Sequence, residues 1–170
     1  HQPPGNAVCA RAAFRRDAGG PLASAPLYYN GMLLQGTGGG EQGRISNVMG
    51  AYDAVNRRPL WVWGVVPAPG QPGGNTWSKT DTHYGGGAFW QTPAIDTKLN
   101  LMIFGTGKPG PWNSRGPGAN LYTRSTLARN LYKGRPRGAH EPVRTRHRGG
   151  ERATTPMLAP GKRKSKGKPA

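Results

Sequence analysis

Seven acids, four histidines and one cysteine are the side chains of this 170-residue chain that could exchange protons or hold a metal near neutral pH. Glu41 closes the run Gly38-Gly39-Gly40-Glu41; alone in a glycine-rich loop, it reads as a solvated surface acid. Trp90 closes a second glycine phrase, Gly85-Gly86-Gly87-Ala88-Phe89-Trp90, and by itself reads as core packing. His83, beside Tyr84 and ahead of those glycines, reads as an exposed loop residue. His140 and His147 fall in a basic stretch and read as solvated. Ser24, Ser46 and Ser125 have no identifiable His and Asp partners, so a hydrolase triad is not supported. Cys9, standing alone, supplies neither an intrachain disulfide framework nor a Cys–His metal cluster.

Charge is the second signal. The net +17 is uneven: residues 1–128 hold 11 Lys/Arg against 5 Asp/Glu, and residues 129–170 hold 13 against 2. Such an asymmetry fits a nucleic-acid or membrane-binding tail, and equally a segment under no folding constraint. Lys162, Arg163, Lys164, Lys166 and Lys168 would neutralise phosphates without reading sequence, so non-specific polyanion binding by the tail is expected. A basic nucleic-acid-binding role through 129–170 is therefore the alternative function. No Phe, Trp or Tyr stands in 135–170 to stack on bases, which weakens it.

These residues must be positioned by short elements. Hydrophobic residues are 34% of the chain, against 28 Gly and 17 Pro, which weighs against independent folding. Leu27 to Tyr29, the turn Asn30-Gly31 and Met32 to Leu34 predict a hairpin, because Asn-Gly tolerates the positive φ such turns need. Val48 to Tyr52, Leu60 to Val66, Ala88 to Ile95, Leu99 to Phe104 and Leu121 to Ala128 predict further strands. Gly36 to Gly43 and Pro67 to Asn75 predict loops, and Ala10 to Phe14 a turn of helix. Beyond Gly134 the strand pattern fades, and the end reads as disordered. The phrases Ala51-Tyr52-Asp53-Ala54, Ala94-Ile95-Asp96 and Leu127-Ala128-Arg129-Asn130 suggest a repeat of roughly 40 residues, as in propeller blades. His1 in place of Met suggests a processed or incomplete chain. Arg11, Arg15 and Arg16 are not followed by the apolar region of a secretory signal. Leu60 to Val66 falls far short of the ~20 residues a membrane helix needs.

One ordered set of phrases is familiar. Ser24-Ala25-Pro26-Leu27, Gly38-Gly39-Gly40-Glu41, Gly50-Ala51-Tyr52-Asp53 and Gly85-Gly86-Gly87-Ala88-Phe89-Trp90 come first. Phe104-Gly105-Thr106-Gly107-Lys108-Pro109-Gly110-Pro111-Trp112-Asn113 and Pro117-Gly118-Ala119-Asn120-Leu121-Tyr122-Thr123 follow. Together they resemble the pyrroloquinoline-quinone (PQQ)-dependent alcohol dehydrogenases, the eight-bladed quinoprotein propellers that include methanol and ethanol dehydrogenases. The similarity runs from about residue 20 to 134, and the Gly-Thr-Gly to Pro-Trp-Asn phrase is its most specific part.

The resemblance implies an all-β fold, about two to three blades of an eight-bladed β-propeller. Residues 1–22 would be an irregular N-terminal segment, 23–134 partial blades, and 135–170 a disordered basic tail. It implies PQQ and calcium as cofactors, with hydride transfer from a primary alcohol to the quinone and calcium as Lewis acid. A small alcohol would be the parent family's substrate, a cytochrome or quinone its electron acceptor, and the periplasm or membrane its place. Glu41 matches the glutamate calcium ligand, Trp90 the tryptophan stacked on the quinone, and Gly38, Gly39 and Gly40 the loop beside it. The departures are equally specific. The asparagine calcium ligand falls at Lys108, which has no acceptor. Ala23 stands where a threonine commonly contacts the cofactor, and the blade tryptophan after Gly134 falls at Gly138. The aspartate base, normally preceded by Trp, falls at Gly149 after Arg148, so no catalytic residue is assigned. Ala153 to Ala159 faintly matches the strand after the catalytic loop. The chain alone is expected to be inactive.

Overall fold

The computed structural model describes residues 21–39, 45–77, 85–110, 119–140 and Pro156, with 138–140 as backbone only. Eight strands form two four-stranded antiparallel sheets, each in simple sequential order. The first contains β1 (Leu27–Tyr29), β2 (Met32–Gly36), β3 (Val48–Asp53) and β4 (Pro59–Gly64). The second contains β5 (Ala94–Asp96), β6 (Leu101–Gly105), β7 (Thr126–Asn130) and β8 (Pro136–His140). A single turn of 3-10 helix at Gly74–Thr76 is the one helical piece among the described residues. Two stacked four-stranded meanders are what two adjacent propeller blades look like.

The local chemistry explains the strand boundaries. Asn30 and Gly31 take φ of 45° and 77°, the paired positive values of a two-residue hairpin turn, as the sequence predicts. The exits of β3, β5 and β7 share one device. Asp53 Oδ1 accepts from the amides of Val55 and Asn56 at 2.8 and 2.9 Å. Asp96 Oδ1 does the same for Lys98 and Leu99, and Asn130 Oδ1 for Tyr132 and Lys133. These are Asx turns, in which a short polar side chain stands in for a backbone acceptor. The amides of Asn56 and Val55 hold the Asp53 carboxyl below its ordinary range. The repeated phrase therefore marks strand exits: it falls on the third, first and third strand of a sheet rather than once per blade.

Pairing register defines the real repeat. Leu34 pairs with Ala51 and Ala51 with Trp61 in the first sheet; Ile103 pairs with Ala128 and Ala128 with Gly138 in the second. Both sheets carry an irregularity at the same step, Ala51/Tyr52 and Ala128/Arg129. The second to fourth strands of the two blades thus correspond residue for residue, and Gly138 occupies the position of Trp61.

The core lies between the sheets. Alternation puts Met32, Leu34, Met49 and Ala51 on one face of the first sheet, with Trp61 and Trp63 packed beside them. Met102, Phe104 and Leu127 meet them from the second sheet. Phe89, on the segment joining the blades, stacks edge-on to Phe104 at 5.5 Å between centroids and to Trp63 at 6.1 Å. Burying each such side chain contributes roughly 1.5–3 kcal/mol, so this seam holds the pair of sheets together. Trp61 also donates its indole N–H across the seam to the Leu131 carbonyl at 3.0 Å. A Cβ on Gly134 would lie 2.7 Å from the Trp61 ring, so that glycine is the seat of the indole.

Arg129 is the exception in the seam. It is 5% exposed, its guanidinium carbon lies 3.4 Å from the centroid of Trp63, and one terminal nitrogen donates to the Gly134 carbonyl. Its Nε has no hydrogen-bond partner. Burial pushes its pKa down to about 10, so it stays cationic at neutral pH. The stacked aromatic face offsets part of that burial cost.

Three expectations need correction. The sheet does not end at Gly134: β8 continues to His140, because Pro136, Arg137 and Gly138 gain their strand from the β7 ladder rather than from an apolar pattern. Ala88 to Ile95 is not one strand, and only Ala94–Asp96 pairs in a sheet. Residues 121–124 form a turn, and the strand begins at Thr126. The helical turn expected at Ala10 to Phe14 lies outside the described residues, as does residues 141–170 of the basic tail apart from Pro156.

Candidate functional site

Two Gly-Thr-Gly phrases end the second strand of each blade: Gly36-Thr37-Gly38 after β2 and Gly105-Thr106-Gly107 after β6. Both threonines are buried and clamp the start of the following strand in the same way. Thr37 donates its amide to the Val48 carbonyl at 3.0 Å, and its hydroxyl accepts from the Val48 amide at 2.9 Å. Thr106 repeats both bonds with Ser125 at 2.9 and 3.0 Å. The repeat was visible in the sequence as two identical tripeptides, a signal missed by reading only the Ala-x-Asp phrase.

Between the two clamps runs the connecting segment 85–90. Phe89 N–H donates to the Thr37 carbonyl of the first blade at 2.8 Å. Gly107 N–H of the second blade donates to the Ala88 carbonyl at 2.9 Å, and Gly87 N–H to the Lys108 carbonyl at 2.7 Å. Gly86 N–H donates to Ile45, and Gly110 N–H to Gly85. The segment divides its backbone bonds between the two blades, which is why it joins neither sheet. Its glycines are required by contact. A Cβ on Gly85 would lie 1.7 Å from the Ile45 carbonyl oxygen, and one on Gly86 2.4 Å from backbone atoms of Lys108 and Gly110. Phe89 turns into the core with no exposure, and the next residue, Trp90, is left half-buried.

Of the candidate residues, Gly38, Gly39, Trp90 and Lys108 are among those described. Gly38 and Gly39 lie at the end of β2, and Lys108 lies at the position of the second blade that corresponds to Gly39. Gly38 is tight for a structural reason, since a Cβ there would meet Ala23 Cβ at 2.3 Å and its amide is held by the Pro21 carbonyl at 2.7 Å. Trp90 follows the segment pinned between Thr37 and Ile45 on one side and Gly107–Lys108 on the other, with Asn47 bridging it to Gly39. The structure therefore brings the first and second glycine loops, Trp90 and Lys108 to one end of the blade pair. Gly40, Glu41, His83 and Gly149 lie outside the described residues. The residue missed by sequence reasoning is Asn47. Fully buried, it donates Nδ2 to the carbonyls of Gly39 at 2.9 Å and Gly86 at 2.7 Å, and its Oδ1 accepts from the Thr37 hydroxyl at 3.1 Å.

Trp90 is half-buried, so its indole keeps some exposed surface of the kind on which a flat ring can stack. A metal fits the described residues less well. Among them no three His, Cys, Asp or Glu side chains gather to hold an ion, and the Lys108 side chain offers an ammonium donor rather than an oxygen ligand. Among the described residues no helix is long and apolar enough to cross a membrane.

Comparison with known proteins agrees with this architecture. A family model described as the PQQ "Glucose/ethanol/alcohol dehydrogenase, beta-propeller domain" matches residues 12–170, a span that includes the basic C-terminal stretch. The quinoprotein alcohol dehydrogenase PedH of Pseudomonas putida is 34% identical over 143 residues, covering 74% of this chain and 24% of PedH. The lanthanide-dependent methanol dehydrogenase of Methylacidiphilum fumariolicum is 29% identical over 143 residues, covering 72% of this chain and 23% of that enzyme. Among solved structures, the quinohemoprotein alcohol dehydrogenase of Comamonas testosteroni aligns with a TM-score of 0.63 at 30% identity, over 71% of this chain and 20% of that one. The chain spans about a quarter or less of the length of the relatives it matches.

Proposed function

The chain belongs to the PQQ-dependent glucose, ethanol and alcohol dehydrogenase β-propeller family, and we propose that its two blades form one wall of that family's quinone site. The observation that carries this reading is the segment 85–90, bonded to both Gly-Thr-Gly corners and ending on the half-buried Trp90. When bound, the quinone would accept the hydride of a primary alcohol, chemistry that the protein only orients. This chain's share is positional. Trp90 would stack on one face of the ring, while Gly38 to Gly40 let backbone approach its edge. Glu41 would face a metal ion, calcium or a lanthanide, the latter class named in one relative. The Lys108 side chain would supply no oxygen to that ion.

A complete oxidation needs a base, and the position of the family's aspartate falls at Gly149. The chain alone is therefore inactive as an alcohol dehydrogenase. In the parent protein the substrate would be a small alcohol and the acceptor a cytochrome or quinone, in the periplasm. A relative named methanol dehydrogenase [cytochrome c] subunit 1 supports the acceptor class.

Titrating the purified chain with PQQ, with and without calcium, while following tryptophan fluorescence tests the reading. Saturable quenching that is lost in Trp90→Leu supports it, and calcium dependence lost in Glu41→Ala would extend it to the metal. Absence of saturable quenching in the unaltered chain would reduce the resemblance to shared ancestry.

A further inference from the structure

The buried amide of Asn47 ties the glycine loop ahead of Glu41 to the glycine loop ahead of Trp90. Its two Nδ2 hydrogens go to the carbonyls of Gly39 and Gly86, the second 39 positions along the chain from Asn47, at 2.9 and 2.7 Å. Its Oδ1 is fixed by the Thr37 hydroxyl at 3.1 Å, which sets which end of the amide faces the loops. The main chain adds to the tie, since Asn47 N–H also reaches the Gly86 carbonyl at 3.4 Å and its own carbonyl accepts from Val65 at 3.0 Å. Every polar atom of this side chain is used.

The second blade shows that folding a blade does not require this residue. Arg124 occupies the corresponding position, half-buried and with a positive φ of 54°, and the Thr106–Ser125 clamp forms all the same. Among the described residues, the Asn47 side chain bonds a loop of the neighbouring segment, and no such side-chain bond is made by Arg124. We propose that Asn47 is the positioning residue of the quinone wall, setting the separation between Gly39 and the Gly85–Trp90 segment. The inference rests on the function proposed above. A carboxyl side chain would fit the same space, yet as a carboxylate it could donate to neither carbonyl; once protonated it could donate to one. Burial without a cationic partner would raise its pKa.

The test compares the intact chain with Asn47→Ala, Asn47→Asp and Thr76→Val by PQQ quenching titration at pH 7.5 and pH 5, each referred to the unaltered chain at the same pH. Thr76 is a control away from the glycine loops, its hydroxyl bonding Gly73 and Leu121. The expected result is an affinity loss of roughly tenfold or more for Asn47→Ala at both pH values. Asn47→Asp should show that loss at pH 7.5 and regain most of it at pH 5, and Thr76→Val should bind within about twofold of the unaltered chain. Should Asn47→Ala fail to fold, the acid rescue of Asn47→Asp carries the test. Unchanged affinity in the Asn47 variants, or loss in Asn47→Asp with no acid rescue, overturns the positioning role while leaving the quinone reading intact. No quenching in the unaltered chain overturns both.

Discussion

The first and second blades share one backbone and differ in the side chains that reach beyond it. The Thr37 and Thr106 clamps, the irregularities after Ala51 and Ala128, and the Asx turns at Asp53 and Asn130 are the same device used twice. At corresponding positions stand Asn47 and Arg124, Tyr52 and Arg129, Arg57 and Gly134, Trp61 and Gly138. The first blade reaches outward with Trp61 and Asn47 to grip the second blade and the segment between them. The second blade receives the Trp61 indole at Leu131 and Gly134, lays Arg129 over Trp63, and has no tryptophan at 138 to extend the grip further. The lesson is that the repeat builds the scaffold, while the exceptions to the repeat build the seam and the candidate site.

The comparison can be broken most severely at the connecting segment. Gly85→Ala drives a methyl into the Ile45 backbone carbonyl, which no side-chain rotation relieves. A loss of about 3 kcal/mol or more is expected, seen as a large drop in the chemical denaturation midpoint; a change within experimental error would show that the segment is not held as described. Next is Trp61→Ala, which removes the ring seated on Gly134 and its bond to Leu131. That should cost about 2–4 kcal/mol and raise amide exchange in the second blade at Leu131 to Gly134. Exchange confined to the first blade would mean the indole is not the grip between them.

Smaller effects sharpen the comparison. Arg57 and Gly134 hold the same turn position with φ of 66° and 60°. Arg57→Gly should therefore stabilise by about 0.5 kcal/mol, the left-handed strain of a side chain less the added freedom of glycine when unfolded. The smallest effect is the pH response of Asp53. Its carboxyl is held below its ordinary pKa in the fold, so the unfolded chain takes up the proton first as pH falls. The contribution is present above the ordinary carboxylate range and disappears as pH drops through the folded value. Asp53→Asn, which keeps an acceptor oxygen as Asn130 does, should flatten that acid dependence; an unaltered acid profile would remove the turn from the account.

Much of this was legible in the residues. Asn30-Gly31 between apolar runs identified the first hairpin, and the family resemblance put a blade tryptophan's position at Gly138, which pairs with Ala128 as Trp61 pairs with Ala51. The glycine phrases and Trp90 pointed to the end of the blades where the connecting segment lies. Three features could not be read locally. The strand β8 has no apolar alternation, because its hydrogen bonds to β7 decide it. Residues 88–90 look like a strand because they are apolar and extended, yet their backbone groups are divided between two blades. Asn47 looks like an ordinary turn residue before a strand, and only its bond to the distant Gly86 gives it a task.

The most direct test of the central claim, that loops from both blades meet around one ligand, is an amide chemical-shift map of the chain as PQQ is added. The account predicts saturable shifts at Gly38, Gly39, Gly86, Gly87, Gly107 and Lys108 with little change at the Asx turns of Asp53, Asp96 and Asn130. Shifts confined to one blade, or to the Lys and Arg of 161–168, would contradict it.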